Sequence, residues 1–258
     1  MPDLAQSLTW ALSPATWLRE TQGISPDSWQ ERFMCDDSRR IALNCCRQAG
    51  KSTAVGWRVA YRASFRPGYF AVCTAPSDRQ SLELFQKIRG TLERAGEFEE
   101  RPMKDNMHEL VLRNGSRIIC LPSNPDTIRG FSSVNELLVD EAGMVEDAVF
   151  AAVEPMMVRS KGSLVLMTTP KGQRGHFHSI WLNGKGWERY EVSYKDVLGF
   201  GHFTQADLDH FREEHGEWMF RQEYCCEFLS TIDAVFPIEQ IQKALSSELE
   251  PFTFMGET

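Results

Sequence analysis

Along most of the chain, short apolar runs alternate with segments whose apolar residues recur at helical spacing, so the period switches repeatedly between two and 3.6 residues. Arg40–Cys45 reads as a first strand, residues 51–64 as a helix and residues 69–74 as a second strand, which together predict a βαβ unit. Ser77 offers an N-cap for a helix with Leu82, Phe85, Ile88 and Leu92 on one face. Asn114-Gly115, between the strand-like stretches 109–113 and 116–121, predicts a hairpin. Glu136–Val139 and Ser163–Thr168 are short apolar runs followed by polar residues or proline, the pattern of buried parallel strands whose C-terminal ends open onto ligand-binding loops. From about Val197 the texture becomes helical again. Thr204 to Asp207 form a capping-box-like start, and Leu208, Phe211 and Trp218 lie near one face. The pattern predicts an α/β core over residues 1–196 with an N-terminal helical segment, and a small C-terminal subdomain over 197–258.

Composition adds bounds to this picture. With 42% hydrophobic and 25% charged residues, the 258-residue chain can bury a full core, which excludes a disordered protein. Its net charge of −8 excludes a surface coated in basic charge, so any DNA contact must be a local patch. The seven cysteines include two adjacent pairs, Cys45-Cys46 and Cys225-Cys226, and no C-x-x-C, which suits neither a disulfide framework nor a zinc site and predicts reduced thiols in a cytoplasmic protein. No basic residue precedes Arg19, and apolar runs such as 148–153 fall far short of the roughly 20 residues of a membrane span, so neither a secretion signal nor a membrane anchor is expected.

The candidate chemistry starts at the end of the first strand. Cys45-Cys46-Arg47-Gln48-Ala49-Gly50-Lys51-Ser52-Thr53 matches the phosphate-loop pattern G-x-x-x-x-G-K-[ST] except at its first position, where Cys45 replaces glycine. Gly50 lets backbone N–H groups close on phosphate oxygens, Lys51 supplies a point charge, and Ser52 offers a hydroxyl to Mg²⁺ at the positive end of the following helix. About ninety residues on, Leu137-Leu138-Val139-Asp140-Glu141 is an apolar strand ending in adjacent carboxylates, the Walker B arrangement. Asp140 is placed to hold the metal through water, and Glu141 to orient and deprotonate an attacking water.

These motifs, with Leu166-Met167-Thr168-Thr169-Pro170-Lys171-Gly172, resemble the ATPase domain of the large terminase subunit, the DNA-packaging motor of tailed bacteriophages and herpesviruses. That family's phosphate loop typically lacks the first glycine and carries an Arg-Gln pair, as Arg47-Gln48 do here. The resemblance takes in Trp29-Gln30, Thr74-Ala75-Pro76 and the segment from Arg221-Gln222-Glu223-Tyr224 to Phe228, and covers about residues 25–236. It implies a three-layer additional-strand P-loop NTPase with a mostly parallel sheet and a C-terminal lid. Gln30 would read the adenine edge, Arg47 to Thr53 would bind ATP, Ser52 and Asp140 would hold Mg²⁺, and Glu141 would activate water. Thr168, Thr169 and Pro170 resemble the coupling motif that senses the γ-phosphate. The implied partners are double-stranded DNA, the portal protein, the small terminase subunit and other copies of the chain in a five-membered ring. They place the protein in the host cytoplasm and transiently on the procapsid.

Two arginines compete for the charge-neutralising role. Arg47 lies in its own phosphate loop and could act in cis, whereas Arg129, in Thr127-Ile128-Arg129-Gly130, corresponds to the family's arginine that reaches a neighbour's ATP. Arg129 is the favoured finger, with Arg47 then a γ-phosphate sensor or coupling residue. His176 and His178 lack a third ligand in sequence and read as a polar loop edge, and residues 97–101 as a solvated turn. Only about twenty residues follow Phe236, too few for the nuclease domain of large terminase subunits, so ATP hydrolysis without DNA cleavage is expected. The rival readings are a helicase-like DNA-dependent ATPase, because DEA followed by TTP also resembles helicase motifs, and a module that binds ATP without turnover.

Overall fold

A computed structural model describes residues 3–96 and 102–230. In chain order its elements are α1 (Leu4–Leu12), α2 (Pro14–Gln22), α3 (Ser28–Cys35), β1 (Arg40–Cys45), α4 (Lys51–Phe65), β2 (Phe70–Ala75) and α5 (Asp78–Arg94). There follow β3 (Lys104–Asp105), β4 (Glu109–Val111), β5 (Arg117–Pro122), α6 (Pro125–Ile128), β6 (Glu136–Val139) and α7 (Asp147–Ser160). The last are β7 (Ser163–Thr168), α8 (Gly175–Asn183), β8 (Glu188–Val192), α9 (Tyr194–Val197) and α10 (Gln205–Tyr224). The expected turn at 97–101 and residues 231–258 of the expected lid lie outside the described residues.

All the strands join one sheet in the order β3-β4-β5-β2-β6-β7-β1-β8. Pairing is parallel from β5 through to β8, and only β4 runs against the other strands, pairing antiparallel with β3 and with β5, the latter through the hairpin around Asn114-Gly115. The phosphate-loop strand β1 does not pair with the carboxylate strand β6. Strand β7 lies between them, pairing Leu43 with Met167 on one side and Val139 with Leu166 on the other. This is the additional strand of the expected fold, and it brings the C-terminal ends of β1, β7 and β6 out side by side.

Because successive strand residues point to opposite faces, each central strand feeds two cores. Ile41, Leu43, Cys73, Leu138, Val165 and Met167 pack with α4 and α5, while Ala42, Val72, Leu137, Val139, Leu164 and Leu166 pack with α7 and α8. Two buried faces explain why these strands read as unbroken apolar runs. Helix α5 starts at the expected Ser77 cap, whose hydroxyl accepts from the Gln80 N–H, but its buried face uses Leu84 in place of Leu82. Helix α10 has the expected Thr204 capping box, yet Gly216 breaks it with φ 80° and ψ 165°. The face therefore shifts phase, and Phe220 and Tyr224 join Leu208 in the buried cluster instead of Trp218. His176 and His178 lie on helix α8, not at a loop edge, and His176 stacks on Phe150 with ring centroids 4.3 Å apart. No described helix is long and apolar enough to cross a membrane.

One polar cluster sits inside the apolar layers. Glu136, the first residue of β6, is fully buried and accepts from Arg58 Nε and Nη2 at 2.9 and 2.8 Å, from Arg62 Nη1 at 3.2 Å, from Ser163 Oγ at 3.1 Å and from the Tyr69 hydroxyl. The cluster clamps α4 to the N-terminal ends of β2, β6 and β7. Burial opposes the charge of Glu136, but Arg58 and Arg62 outweigh it and lower the pKa from 4.5 to about 2. A carboxyl with a pKa lower in the folded than in the unfolded state contributes stability above its ordinary pKa and loses that contribution as the pH falls towards the folded value. Replacing Glu136 by glutamine leaves two buried guanidinium groups facing a neutral partner, a change that costs about 3–5 kcal/mol. Denaturant titrations at stepped pH should show this loss near neutrality, together with a flatter stability profile for Glu136→Gln than for wild type between pH 4.5 and about 2.

Candidate nucleotide site

The phosphate loop leaves β1 at Cys45 and turns into α4 through two left-handed residues, Gln48 (φ 58°) and Gly50 (φ 81°). Its backbone is pinned from outside, since Cys46 N–H donates to the Val192 carbonyl at 2.8 Å and Arg47 N–H to the Glu223 carbonyl at 2.7 Å. Cys45 is buried in the core, where a thiol packs as a small apolar group, so the position tolerates the replacement of glycine.

The carboxylates of the β6 end meet the loop directly. Lys51 Nζ lies 2.7 Å from Glu141 Oε1, and Ser52 Oγ donates to Asp140 Oδ2 at 3.2 Å. Burial opposes the charge of Lys51, but Glu141 and Asp140 overcome it and hold its pKa above the ordinary lysine value. For Asp140 burial wins, and its pKa rises in spite of Lys51. Asp140 is fixed by its own N–H donating to the Thr74 carbonyl at 2.7 Å, and its Oδ1 accepts from Glu141 N–H at 2.9 Å. Glu141 has φ 48°, a left-handed conformation that is costly for a residue with a side chain. Such strain, of order 1–3 kcal/mol, gathers at functional positions. Thr168 Oγ1 stands 3.4 Å from Glu141 Oε2 but only 2.7 Å from the Thr169 carbonyl, so its single proton goes to the carbonyl and the hydroxyl borders Glu141 without locking it. Thr169 and Pro170 are buried beside it.

A cavity of about 480 Å³ opens over the loop, lined by Gln48 to Thr53 and by Gln30 from α3. Gln30 closes a capping box, its Oε1 accepting from Asp27 N–H at 2.9 Å, so its amide NH₂ is the hand left for a ligand. Sequence reading missed two residues here. Asp27 Oδ2 hydrogen-bonds His202 Nε2 at 2.9 Å, tying the start of α3 to the loop before α10. The two lie 175 positions apart; the Asp27-x-x-Gln30 spacing of a capping box is the one signal available for Asp27, and nothing local points to His202.

Ser52 and Asp140 present hard oxygen donors 3.2 Å apart, a set that fits Mg²⁺, which takes one or two protein ligands and the remainder from phosphates and water. Among the described residues no cluster of three or more His, Cys, Asp or Glu forms a protein cage for a metal. Arg47 is mostly exposed and lies 3.8 Å from Glu223 Oε2. Arg129 is not brought to this cavity. It is 59% exposed, 3.6 Å from Asp126, and borders a separate hollow with Phe131 and Arg159.

Gly50 carries a structural test of this arrangement. A Cβ there would stand 2.7 Å from Gln30 Nε2, whose amide the capping box holds, and the left-handed backbone adds about 1–2 kcal/mol for any L side chain. Gly50→Ala should lose at least that much stability in urea titration, whereas a variant as stable as wild type would show the loop to be freer than described.

The family described as "Terminase large subunit, T4likevirus-type, N-terminal" matches residues 43–243. The large terminase subunit of Thermus virus P23-45 is 24% identical over 87% of this chain and 53% of its own length, so the chain spans about half of that relative. The large terminase ATPase domain of Thermus phage P74-26 superimposes with a TM-score of 0.68 at 21% identity, covering 84% of this chain and 99% of that one. A large terminase from a thermophilic bacteriophage, in complex with ATP-gamma-S, gives a TM-score of 0.58 at 13% identity over 85% of this chain and 52% of its own.

Proposed function

Since the chain belongs to the large terminase subunit family, we propose that it is the ATP-hydrolysing unit of a motor that drives double-stranded DNA into a viral procapsid. The observation that carries this reading is the double contact between the two motifs, Lys51 with Glu141 and Ser52 with Asp140. Each contact joins a phosphate-loop residue to a carboxylate from a distant part of the chain, which supports hydrolysis over passive nucleotide binding. The relative that holds ATP-gamma-S supports ATP as the nucleotide.

In this reading the backbone N–H groups from Ala49 to Thr53 and the Lys51 ammonium receive the phosphates, and Gln30 offers its amide N–H to the base. Ser52 and Asp140 hold magnesium bound with the nucleotide, whose contribution is to neutralise charge on the phosphate oxygens. Glu141 accepts a proton from the attacking water, and Thr168 and Thr169, at the end of the strand between the two motifs, relay the state of the γ-phosphate. The partners proposed are portal protein, small terminase subunit and further copies in a five-membered ring on the procapsid in the host cytoplasm. The segment from residue 197 serves as a lid.

Arg129 is proposed as the finger that completes a neighbour's site, and its exposure and distance from its own cavity support a role in trans. Arg47, held near Glu223 beside the loop, is proposed as the sensor.

Glu141→Gln keeps shape and hydrogen bonding but removes the base, so turnover in a phosphate-release assay should fall by about 10²–10⁴ while ATP still binds. Equal loss of binding and rate would make Glu141 structural. Mixing Arg129→Ala with Lys51→Ala subunits, with ring formation verified by light scattering, should recover activity where an intact finger faces an intact loop. No recovery at any ratio in verified rings would place Arg129 in cis.

A further inference from the structure

The sheet has a second chemically distinct end. Opposite the nucleotide cavity, where β1, β2, β6 and β7 begin, two adjoining hollows of about 190 and 340 Å³ share Arg39, Lys161 and Gly162 in their walls. Six residues of β1 separate this end from the phosphate loop, roughly 20 Å at about 3.3 Å per residue. Arg40, Arg62 and Arg66 add to the lining, against Asp37 and Glu154 as the only carboxylates in it. For a chain of net charge −8 this is a local reversal of sign.

The charges are not all spent on one another. Asp37 Oδ1 takes Arg62 at 2.8 Å and Arg66 at 2.9 Å, and Arg62 also reaches Glu136 at 3.2 Å, so the cations left over are those nearer the rim. Arg62 is 4% exposed, and its Nε is buried without a hydrogen-bond partner. Arg39 and Lys161 are exposed, and neither side chain has a carboxylate within ion-pair distance among the described residues. Lys161 is held in place by its backbone, at φ 57° between α7 and β7. The next residue has to be glycine, because a Cβ at Gly162 would meet the Val134 carbonyl at 2.4 Å.

We propose that this basic concavity is a seat for phosphate groups of a nucleic-acid backbone, bound without regard to base sequence. Unneutralised cations spread over two joined hollows suit successive phosphates better than a single small anion. The lining offers no free aromatic face on which a base could stack, since its tyrosine, Tyr69, is 4% exposed with its hydroxyl bound to Glu136. The choice of DNA as the polyanion rests on the packaging function proposed above. The location does not, because it follows from the charges alone.

The test uses the whole chain and the double variant Arg39→Gln/Lys161→Asn. Among the described residues neither pairs with a carboxylate, and asparagine tolerates the left-handed backbone at 161. Binding of a labelled 30-base-pair duplex without nucleotide is measured by fluorescence anisotropy across a salt series, and ATP hydrolysis without DNA is measured in parallel. Each lost phosphate contact lowers the slope of log K against log salt by about 0.9, so the variant should bind more weakly with a slope shallower by about 1.8, while its DNA-free hydrolysis stays within twofold of wild type. If Lys161 serves only to oppose the dipole of α7, stability changes and the slope does not, which overturns the proposal. An unchanged slope with wild-type DNA binding intact overturns the site and leaves the ATPase reading standing. Absence of DNA binding by a wild-type chain that hydrolyses ATP overturns the proposal as well. Tripolyphosphate provides the last arm, because displacement of duplex by it at equal phosphate concentration would assign the hollows to a free polyphosphate instead.

Discussion

A buried ammonium is tolerated only beside negative charge, and Lys51 has two carboxylates for that purpose, Glu141 at 2.7 Å and Asp140 behind Ser52. That ion pair joins segments 90 positions apart, and the sheet exists in the form that permits it. With β7 inserted between β1 and β6, the phosphate loop and the paired carboxylates emerge at one edge, separated by the width of a single strand. The strand in the middle ends in Thr168, followed by Thr169, so topology sets these hydroxyls between the two motifs. The left-handed backbone at Glu141 and Gly50 marks the two turns by which the carboxylates and the phosphate loop leave regular structure at this edge.

The other end of the sheet is organised by the opposite charge. Glu136 is the buried anion there, and Arg58 and Arg62 are its partners, with the remaining cations left facing solvent. Helix α4 connects the two ends. Its first turn carries Lys51 and Ser52, and its later turns carry Arg58 and Arg62 into the Glu136 cluster. The helix is thus anchored at both ends, by the ion pair at its start and by the Glu136 cluster further along.

Much of this was readable in the sequence because it is local. The limits of β1, β6 and β7 follow from apolar runs buried on both faces, and the motif residues Lys51, Ser52, Asp140 and Glu141 converge as their types and spacing imply. What was hidden depends on distant or conformational facts. The phase slip of α10 requires the backbone angle of Gly216, which composition does not reveal. Leu84 replaces Leu82 on the buried face of α5 because the neighbouring elements select the face, and both spacings are helical. His176 stacks on Phe150 from a different helix. The Asp27–His202 contact and the burial of Glu136 appear only once remote segments have been brought together, and Glu136 in sequence is simply the polar start of an apolar strand.

The central claim is that Ser52 and Asp140 form, with Lys51, one site for magnesium-bound ATP. It is tested most directly by measuring ATP affinity by calorimetry with and without Mg²⁺, in wild type and in Asp140→Asn. The account predicts that Mg²⁺ strengthens binding to wild type and has little effect on the variant. The same gain from Mg²⁺ in both proteins would contradict it.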